Sequence, residues 1–352
     1  MEWPTTADDV TADWLSTALA RRHPGADVAA VEVLERHEVT NAHARVRVTY
    51  RTPAGAPELM FCKLPPNDDR RERILATGMG HREARFYAEL APSVGMRVPA
   101  AHVALTDDDG MFAILLEDLV SGGGAVSDGS WAIPVDAAAG AIEDLAELHV
   151  RYADPAVRAA EAPWVPVSRP TQAYAEPMLR HGIEHHRERL TDSFVEISEL
   201  YFAHHDDLQR LWHEGPPTII HGDPHLGNLF LDDGRVGFLD WGIINVNTPM
   251  RDISYFMTMA MSVEDRRANE RDLLRFYLDL RTAAGLTDIT FDDAWRAHRI
   301  HAAYNVPASC QVVMFPDDVS DRRRTFADAF LVRAQASLDD LEARAALRDA
   351  GL

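Results

Sequence analysis

A change in the spacing of apolar residues near residue 120 most strongly limits the possible folds. In the predicted strands between residues 29 and 52, apolar residues alternate with charged ones, as in half-buried antiparallel strands. From residue 135 onward they recur at helical spacing. The glycine-rich stretch Ser121–Gly124 lies between the two patterns and is typical of a flexible connection. The sequence therefore predicts an α+β protein with a small antiparallel sheet followed by a larger, mainly helical part.

The same patterns predict individual elements and a division into two domains. The division places a first domain at 1–120, a hinge at about 117–124 and a second domain at 125–352. In the first domain we expect helices over 11–22 and 81–90 and strands over 29–39, 44–52, 58–64, 98–106 and 111–116. In the second we expect helices over 135–151, 172–190 and 194–212, a short β-rich region over 218–240, and at least four helical segments from Asp252 onward.

The composition excludes several classes of function. The 352 residues include 35 basic and 56 acidic side chains, which gives a net charge of −21. A chain this acidic is a poor ligand for nucleic acid or for an anionic membrane surface. Its two cysteines suggest no disulfide framework, and its polar N-terminus does not resemble a signal peptide. We therefore expect a cytoplasmic protein that acts on small molecules, and the sequence does not indicate an oligomeric state.

One residue count is unusual: Lys63 is the only lysine in the chain. Arginine replaces lysine readily where only a surface positive charge is needed, but not where a compact ammonium group on a flexible stem is required. Chance survival of one lysine is an alternative explanation. The count nevertheless marks Lys63 as a candidate functional residue.

The segment 221–242 combines residues that suit a magnesium-dependent reaction. It reads His-Gly-Asp-Pro-His-Leu-Gly-Asn, then a predicted hairpin, then Asp-Trp-Gly. The hairpin brings Asn228, at the start of one strand, close to Asp240, at the end of its partner. Carboxylate and amide oxygens are the protein ligands that Mg²⁺ prefers, and a further carboxylate, Asp223, can accept the proton of a hydroxyl group.

Each of these residue types is also common in ordinary loops. Only the order and spacing of the whole set, and not any one residue, indicate a specific chemistry. An aspartate five residues before an asparagine, a hairpin, a second aspartate followed by Trp-Gly, and a lysine on a distant strand together match the parts needed for phosphoryl transfer.

The segments 221–228 and 239–242 resemble the aminoglycoside phosphotransferase and choline kinase-like family, whose fold is similar to that of protein kinases. The form His-Gly-Asp-x-His-Leu-Gly-Asn is most similar to the ecdysteroid-kinase-like branch. Residues 82–90 resemble the family's helix in the first lobe, and 115–119 its hinge. The resemblance covers most of the chain and implies a bilobal, protein-kinase-like fold.

The resemblance also implies roles for five residues. Asp223 matches the catalytic aspartate that orients and deprotonates the acceptor hydroxyl. Asn228 and Asp240 match the Mg²⁺ ligands. Lys63 matches the strand lysine that holds the α- and β-phosphates of ATP, and Glu83 matches the carboxylate that pairs with this lysine.

Further contacts with the nucleotide follow from strand alternation and from position. Phe61 shares a strand face with Lys63 and would face the adenine. Backbone groups around Glu117 and Leu119 would meet the adenine edge. Thr40 and Asn41 lie in the turn 39–44, which lacks the glycines that protein kinases place over the phosphates. Their hydroxyl and amide groups are the candidate phosphate contacts.

Three further residues are candidates for support of the loop or contact with substrate. His221 is expected to brace the loop and not to act as a base. His225 is a possible contact with substrate or phosphate. Asp252, in Pro-Met-Arg-Asp-Ile, resembles a family aspartate that braces the catalytic loop. The histidines at 181, 185 and 186 have a spacing that can bind zinc, but a solvated helix face is the favoured interpretation.

The sequence thus predicts an enzyme that transfers phosphate from ATP, with Mg²⁺, to a hydroxyl group of a small molecule. The alternatives are a nucleotide-binding regulatory module without turnover and a protein kinase; the absence of a glycine-rich loop disfavours the second. The acceptor stays open. The acidic composition favours an amine-bearing acceptor, whereas the branch resemblance favours a less polar alcohol. Aromatic residues in the helical part could line its pocket or form ordinary core.

Overall fold

The computed structural model describes residues 2–38, 40–169, 173–316 and 320–352. Val39 and Gln172, at the ends of two predicted elements, lie outside the described residues. The chain forms two compact units. The first comprises residues 1–125 and 238–244, and the second comprises 126–237 and 245–352. The first unit therefore includes a short segment that a contiguous division of the sequence near residue 120 assigns to the second domain.

A five-stranded antiparallel sheet forms the centre of the first unit, in the order β1-β2-β3-β5-β4. The predicted antiparallel sheet is confirmed, with ends that differ by a few residues. Its strands are β1 (Asp27–Glu38), β2 (Ala42–Thr52), β3 (Leu59–Leu64), β4 (Ala101–Thr106) and β5 (Phe112–Glu117).

The two faces of β3 have different environments, as strand alternation requires. Met60 and Cys62 point into the apolar core of the first unit, where helix α1 (Ala12–Leu19) contributes Leu15. The hydroxyl of Thr11 caps this helix by accepting a hydrogen bond from the backbone N–H of Trp14. Lys63 consequently lies on the opposite face of the strand from the core.

The predicted helix over 81–90 is present but begins earlier. Helix α3 (Met79–Arg85) continues into a π-helical turn, Phe86–Leu90. It is preceded by α2 (Arg71–Ala76), which the sequence analysis missed. Because α2 is short and buries none of its residues, it has no apolar stripe that a pattern search could find. A short helix, α4 (Leu119–Gly122), follows β5.

The second unit is mainly helical, as predicted. The helix over 135–151 has the predicted bounds, whereas the single helix predicted over 194–212 is wrong because His204 leaves helical geometry (φ −131°, ψ 36°). Its helices are α5 (Val135–Arg151), α6 (Pro155–Glu161), α7 (Glu176–His185), α8 (Asp192–Ala203), α9 (His205–Trp212), α10 (Met250–Ala260), α11 (Val263–Ala283), α12 (Phe291–Ala302), α13 (Asn305–Ala308), α14 (Asp321–Asp340) and α15 (Ala343–Asp349).

The segment 221–242 and the residues on either side of it contribute strands to two small sheets. Strand β7 (Thr218–Ile220) pairs antiparallel with β10 (Asn245–Asn247). Strands β6 (Ala125–Val126), β8 (Leu229–Asp232) and β9 (Arg235–Phe238) form the other sheet. The predicted hairpin is confirmed: Asp233 and Gly234 both have positive φ, as a tight two-residue turn requires.

Many aromatic residues of the second unit belong to two apolar clusters. Phe194, Tyr201 and Trp212 belong to its main apolar core, so they are unavailable to a ligand. A smaller cluster contains Tyr255 and Phe330. Along the described part of the chain, no helix is both long and apolar enough to cross a membrane.

Two helical glycines of the second unit test this packing. A methyl group at Gly182 in α7 would lie 2.9 Å from Cβ of Val313, whereas one at Gly140 in α5 meets nothing within 4 Å. We expect Gly182→Ala to destabilise the protein by about 1–3 kcal/mol through overpacking. Gly140→Ala should stabilise it by up to about 1 kcal/mol through helix propensity. Chemical denaturation of both variants measures the difference, and equal effects would contradict the packing described.

Candidate active site

The single lysine is held between two carboxylates within the first unit. Nζ of Lys63 lies 2.5 Å from Oε2 of Glu83 and 3.3 Å from Oδ1 of Asp240. Lys63 and Glu83 are only 4% and 2% exposed, so neither could remain charged there without an opposite charge. Burial opposes the ammonium form, but the charges of Asp240 and Glu83 outweigh it and raise the pKa of Lys63. The lysine is therefore a fixed cation at neutral pH.

The backbone at Asp240 explains how its carboxylate reaches the lysine. Asp240 has φ 56° and ψ 68°, a left-handed conformation that is uncommon for a residue other than glycine. Aspartate adopts it more readily than most residues. Backbone strain of this kind is concentrated at functional sites.

Three contacts fix the segment 240–242 against the helix that carries Glu83. The indole ring of Trp241 stacks on Phe86 with centroids 3.7 Å apart. Nε of Arg82 donates a 2.9 Å hydrogen bond to the carbonyl oxygen of Gly242. A side chain at Gly242 would come within 3.2 Å of Met79, so the close approach favours glycine. Sequence analysis named Trp241 only as part of a motif, and its stacking could not be read from spacing.

The face of the sheet that carries Lys63 also carries polar groups without partners. His43 lies directly opposite Lys63 in the β2–β3 register, and its ring is 5.2 Å from that of Phe61. Burial and the charge of Lys63 lower the pKa of His43 to about 4. Among the described atoms, Nε2 of His43 and Oδ1 of Asn41 are buried and unpartnered. Thr40 is exposed.

The predicted hinge residues follow β5 and are held by arginines. Both terminal nitrogens of Arg97 donate to the carboxylate of Glu117. Arg45 donates twice to Asp118, which is buried. Leu119 begins helix α4 and is partly buried. The Glu117 and Asp118 side chains are therefore engaged, and the backbone N–H of Glu117 donates to the carbonyl of Ala100 over 2.8 Å.

The predicted catalytic loop lies within the second unit. Nδ2 of Asn228 donates to Oδ2 of Asp223 over 2.9 Å and to its backbone carbonyl over 3.1 Å. These bonds use the amide nitrogen and leave the amide oxygen as a possible cation ligand. Nε2 of His225 is 3.6 Å from Oδ2 of Asp223, and Nδ1 of His225 accepts from the backbone N–H of Gly227. His225 is therefore near the Asp223 carboxylate and also shapes the loop.

The start of this loop is braced by Asp252, which is fully buried. Its two carboxylate oxygens accept hydrogen bonds from the backbone N–H groups of His221 (2.7 Å) and Gly222 (2.8 Å). Burial opposes the charged form of Asp252, but these groups and His149 outweigh it and hold its pKa below the ordinary value. Nδ1 of His221 in turn accepts from the backbone N–H of Asp223 over 3.2 Å. The geometry is that of a brace.

His149 extends this network, and sequence reasoning missed its role. It is fully buried on α5, with Nε2 3.3 Å from Asp252 and Nδ1 3.0 Å from the hydroxyl of Tyr277. A histidine among the apolar positions of an amphipathic helix was the available signal. Such a residue must find polar partners in the core, because an unpaired imidazole there would be costly.

The chemistry of the donors fits Mg²⁺ and phosphate. Asp240 and Asn228 supply hard oxygen atoms, and Lys63 supplies a fixed cation that can pair with phosphate oxygens. Within the described ranges, no group of three or more His, Cys, Asp or Glu side chains lies close enough to hold a metal.

Two of the histidines whose spacing could bind zinc, His181 and His185, lie on α7. Their rings stack with centroids 4.2 Å apart, and Nδ1 of His185 contacts the carbonyl oxygen of His181.

Comparison with known proteins gives a family and a fold. The family model described as the phosphotransferase enzyme family matches residues 17–306. Among solved structures, the chain is similar to a choline kinase from Cryptosporidium parvum, with a TM-score of 0.54, 10% identity and coverage of 91% of each chain. It is also similar to the GDP complex of aminoglycoside 2′-phosphotransferase-IIIa, with a TM-score of 0.50, 16% identity and coverage of 92% of this chain and 98% of that one.

At these identities the structural matches show a shared fold and not a shared substrate. The predicted protein-kinase-like α+β class is thereby confirmed. No curated protein matches the chain. The finer resemblance to the ecdysteroid-kinase-like branch stays a prediction.

The brace at Asp252 is open to a direct test. Asp252→Asn keeps the shape of the side chain but replaces one acceptor oxygen by a donor that faces a backbone N–H group. We expect a loss of about 3 kcal/mol or more in the free energy of unfolding, as for a buried charge network with one partner removed. Asp233→Asn is the control, since Asp233 is exposed in the hairpin turn. Similar stability losses in the two variants would contradict the brace.

Proposed function

The chain belongs to the phosphotransferase enzyme family, and we propose that it transfers the γ-phosphoryl group of ATP, with Mg²⁺, to an alcohol of a small molecule. Membership makes the protein a small-molecule phosphotransferase with an alcohol group as acceptor. The nucleotide, the metal and the residue roles are the parts we propose. The observation that carries them is the Asp223–Asn228 pair on a loop braced by buried Asp252.

In this proposal Asp223 acts on the acceptor. Its carboxylate holds the hydroxyl group in line with the γ-phosphorus and accepts the hydroxyl proton as the oxygen–phosphorus bond forms. The bond from the γ-phosphorus to the β–γ bridging oxygen breaks, and ADP leaves with that oxygen. Asn228 fixes the carboxylate through its 2.9 Å hydrogen bond, which limits the positions that the proton acceptor can take.

Lys63 contacts the nucleotide from its fixed position between Glu83 and Asp240. Its ammonium group would pair with α- and β-phosphate oxygens, while Glu83 keeps the stem from swinging away. Asn228 and Asp240 would bind Mg²⁺, which when bound neutralises charge on the phosphates. The unpartnered amide oxygen of Asn41 belongs to the same loop as Thr40, whose exposed hydroxyl could donate to a phosphate.

The adenine contacts we propose use one side chain and a short run of backbone. Phe61 shares the strand face of Lys63 and is only partly buried, so its ring is available for stacking. Backbone groups between Glu117 and Leu119 would hydrogen-bond the adenine edge, except the N–H of Glu117, which already donates to the carbonyl of Ala100. The Glu117 carboxylate itself is not part of this contact, because Arg97 and the backbone N–H of Ala100 already bind it.

Asp223→Asn tests the reaction class. We expect this variant to fold and bind MgATP but to transfer phosphate about a thousandfold more slowly, because the amide cannot accept the hydroxyl proton. The assay follows an added phosphate by mass spectrometry over a mixed library of sugars, aminoglycosides, amino alcohols, macrolides, nucleosides and sterols. Asp233→Asn is the matched control, since Asp233 is exposed in the hairpin turn.

Three results of that assay have different meanings. A product that forms with wild type and the control, but not with Asp223→Asn, supports the proposal. Near-wild-type turnover by Asp223→Asn would remove Asp223 from the reaction. If the wild type does not bind MgATP, the protein is a member of the family that does not use this nucleotide, and the proposed role of ATP is wrong.

Lys63→Arg tests the requirement for an ammonium group. The planar guanidinium cannot take the place of a group held 2.5 Å from Glu83 and 3.3 Å from Asp240. We expect kcat/KM for ATP to fall about tenfold or more, although the charge is kept. The reverse comparison is Arg47→Lys on β2, where an exposed arginine pairs with Glu32, and this variant should keep wild-type kinetics. An unaltered rate in Lys63→Arg would remove the lysine from nucleotide binding.

A further inference from the structure

Side chains around Asp223 form a series of contacts that ends at a cation. Asp223 lies 3.6 Å from Nε2 of His225, whose ring is 6.1 Å from that of Tyr255. The Tyr255 ring is 5.6 Å from that of Tyr304. The guanidinium group of Arg251 lies 3.6 Å above the Tyr304 ring. Within the second unit, the proposed base is therefore connected to Arg251 by aromatic rings.

The remaining neighbours of His225 are apolar. Its ring is 5.3 Å from that of Phe330 and 6.1 Å from that of Phe326, both on α14. Phe330 is buried in a small cluster with Tyr255, and Phe326 and Tyr304 pack against this cluster. Ring surfaces of this kind favour a ligand with a flat or apolar face. Because Phe330 and Tyr255 are buried, the aromatic area that remains open to a ligand is that of the partly buried Phe326 and Tyr304.

Arg251 has no carboxylate partner in the part of the chain that the structure describes. Two fully buried arginines of this unit do have carboxylate partners: Arg266 pairs with Glu270 and Asp340, and Arg281 pairs with Asp288. Buried Arg333 instead donates to the backbone carbonyls of Met261 and Ala329. A partly buried guanidinium normally satisfies its donors with an anion, and its planar fork fits a carboxylate or phosphate in a bidentate way. Stacking on Tyr304 holds the group in place without neutralising it.

The charged groups that shift the pKa values of Tyr255 and Tyr304 agree with this arrangement. Burial raises the pKa of Tyr255 well above its ordinary value, the negative charge of Asp223 adds to this shift, and Arg251 opposes it. Burial likewise raises the pKa of Tyr304, against Arg251. The charged groups acting most strongly on these two phenols are thus one carboxylate, the proposed base, and one guanidinium. A site for a polycation would instead present several carboxylates.

We propose, on the basis of the phosphotransfer assigned above, that Arg251 and the aromatic side chains beside Asp223 select an uncharged or anionic alcohol that carries an apolar ring. Arg251 is the specificity-determining residue in this proposal. It attracts an acid group on the acceptor and disfavours polyamines by repulsion. Aromatic rings can also hold a quaternary ammonium group, but here one face of Tyr304 already carries a cation.

Three naphthalene alcohols that differ only in charge test this selection. They are 6-(hydroxymethyl)-2-naphthoate, 2-naphthalenemethanol and 6-(aminomethyl)-2-naphthalenemethanol. Dissociation constants are measured by calorimetry on the 352-residue chain with MgADP. We expect the carboxylate compound to bind at least as tightly as the neutral one, and about tenfold more tightly than the amine, as for a hydrogen bond to a charged group.

Variants separate Arg251 from other causes of such a preference. Arg251→Gln should reduce the difference between the carboxylate and the amine to about twofold. Arg251→Lys keeps the positive charge and should keep the order of affinities. This variant therefore distinguishes the loss of charge from misfolding caused by any substitution at this position. Arg271→Gln is the matched control: this guanidinium also lies over an aromatic ring, 4.2 Å from that of Trp295, and its loss should leave the preference unchanged.

Several results would overturn the inference without touching the reaction class. They are tightest binding by the amine, an unchanged order of affinities in Arg251→Gln, and no binding by any of the three compounds. Phosphate transfer to kanamycin or choline that depends on Asp223 and exceeds transfer to all three alcohols would do the same while supporting the phosphotransferase. Absence of any Asp223-dependent transfer would instead contradict the proposed function, and the binding series would still decide the role of Arg251.

Discussion

The ion pair of Lys63 with Glu83 and Asp240 is the constraint on which the first unit depends. An ammonium group only 4% exposed cannot remain charged without nearby anions, so strand β3, helix α3 and the segment after β9 must all meet at this point. The left-handed backbone of Asp240 follows from the same need. A buried cation held by two carboxylates is costly as a purely structural device, which is why we assign it a role in binding phosphate.

The second unit also contains a buried charged group, the Asp252 carboxylate, that needs polar partners. Asp252 accepts from two consecutive backbone N–H groups at the start of the loop, and His149 supports it from the helical core. The loop therefore takes its shape from an inner charge and not from the residues that meet solvent. Because Asn228 binds Asp223 directly, the position of the proposed base is determined twice, at the start of the loop and at its end.

Much of this could be predicted from the sequence, and the limits have physical causes. The spacing of apolar residues and the residue types at turns were enough to predict the sheet, the hairpin and helix α5, because burial of one face determines those patterns. Lys63 was marked by its isolation in the composition, and the loop residues by their spacing. The partners of His149 and the stacking of Trp241 on Phe86 join residues about 100 or more positions apart. Single-sequence periodicity carries no information on such pairs.

On the acceptor side, a global property and a local one favour different ligands. A net charge of −21 favours cationic ligands on average, whereas the branch resemblance favours a less polar alcohol, so the sequence leaves the acceptor open. Coulomb interactions weaken with distance and are screened by salt over about 10 Å, so the charges that act on a bound molecule are those beside it. Beside Asp223 the structure places aromatic rings and Arg251, a cation without a carboxylate partner among the described residues. Selection of the acceptor should follow this local balance and not the sum over the chain.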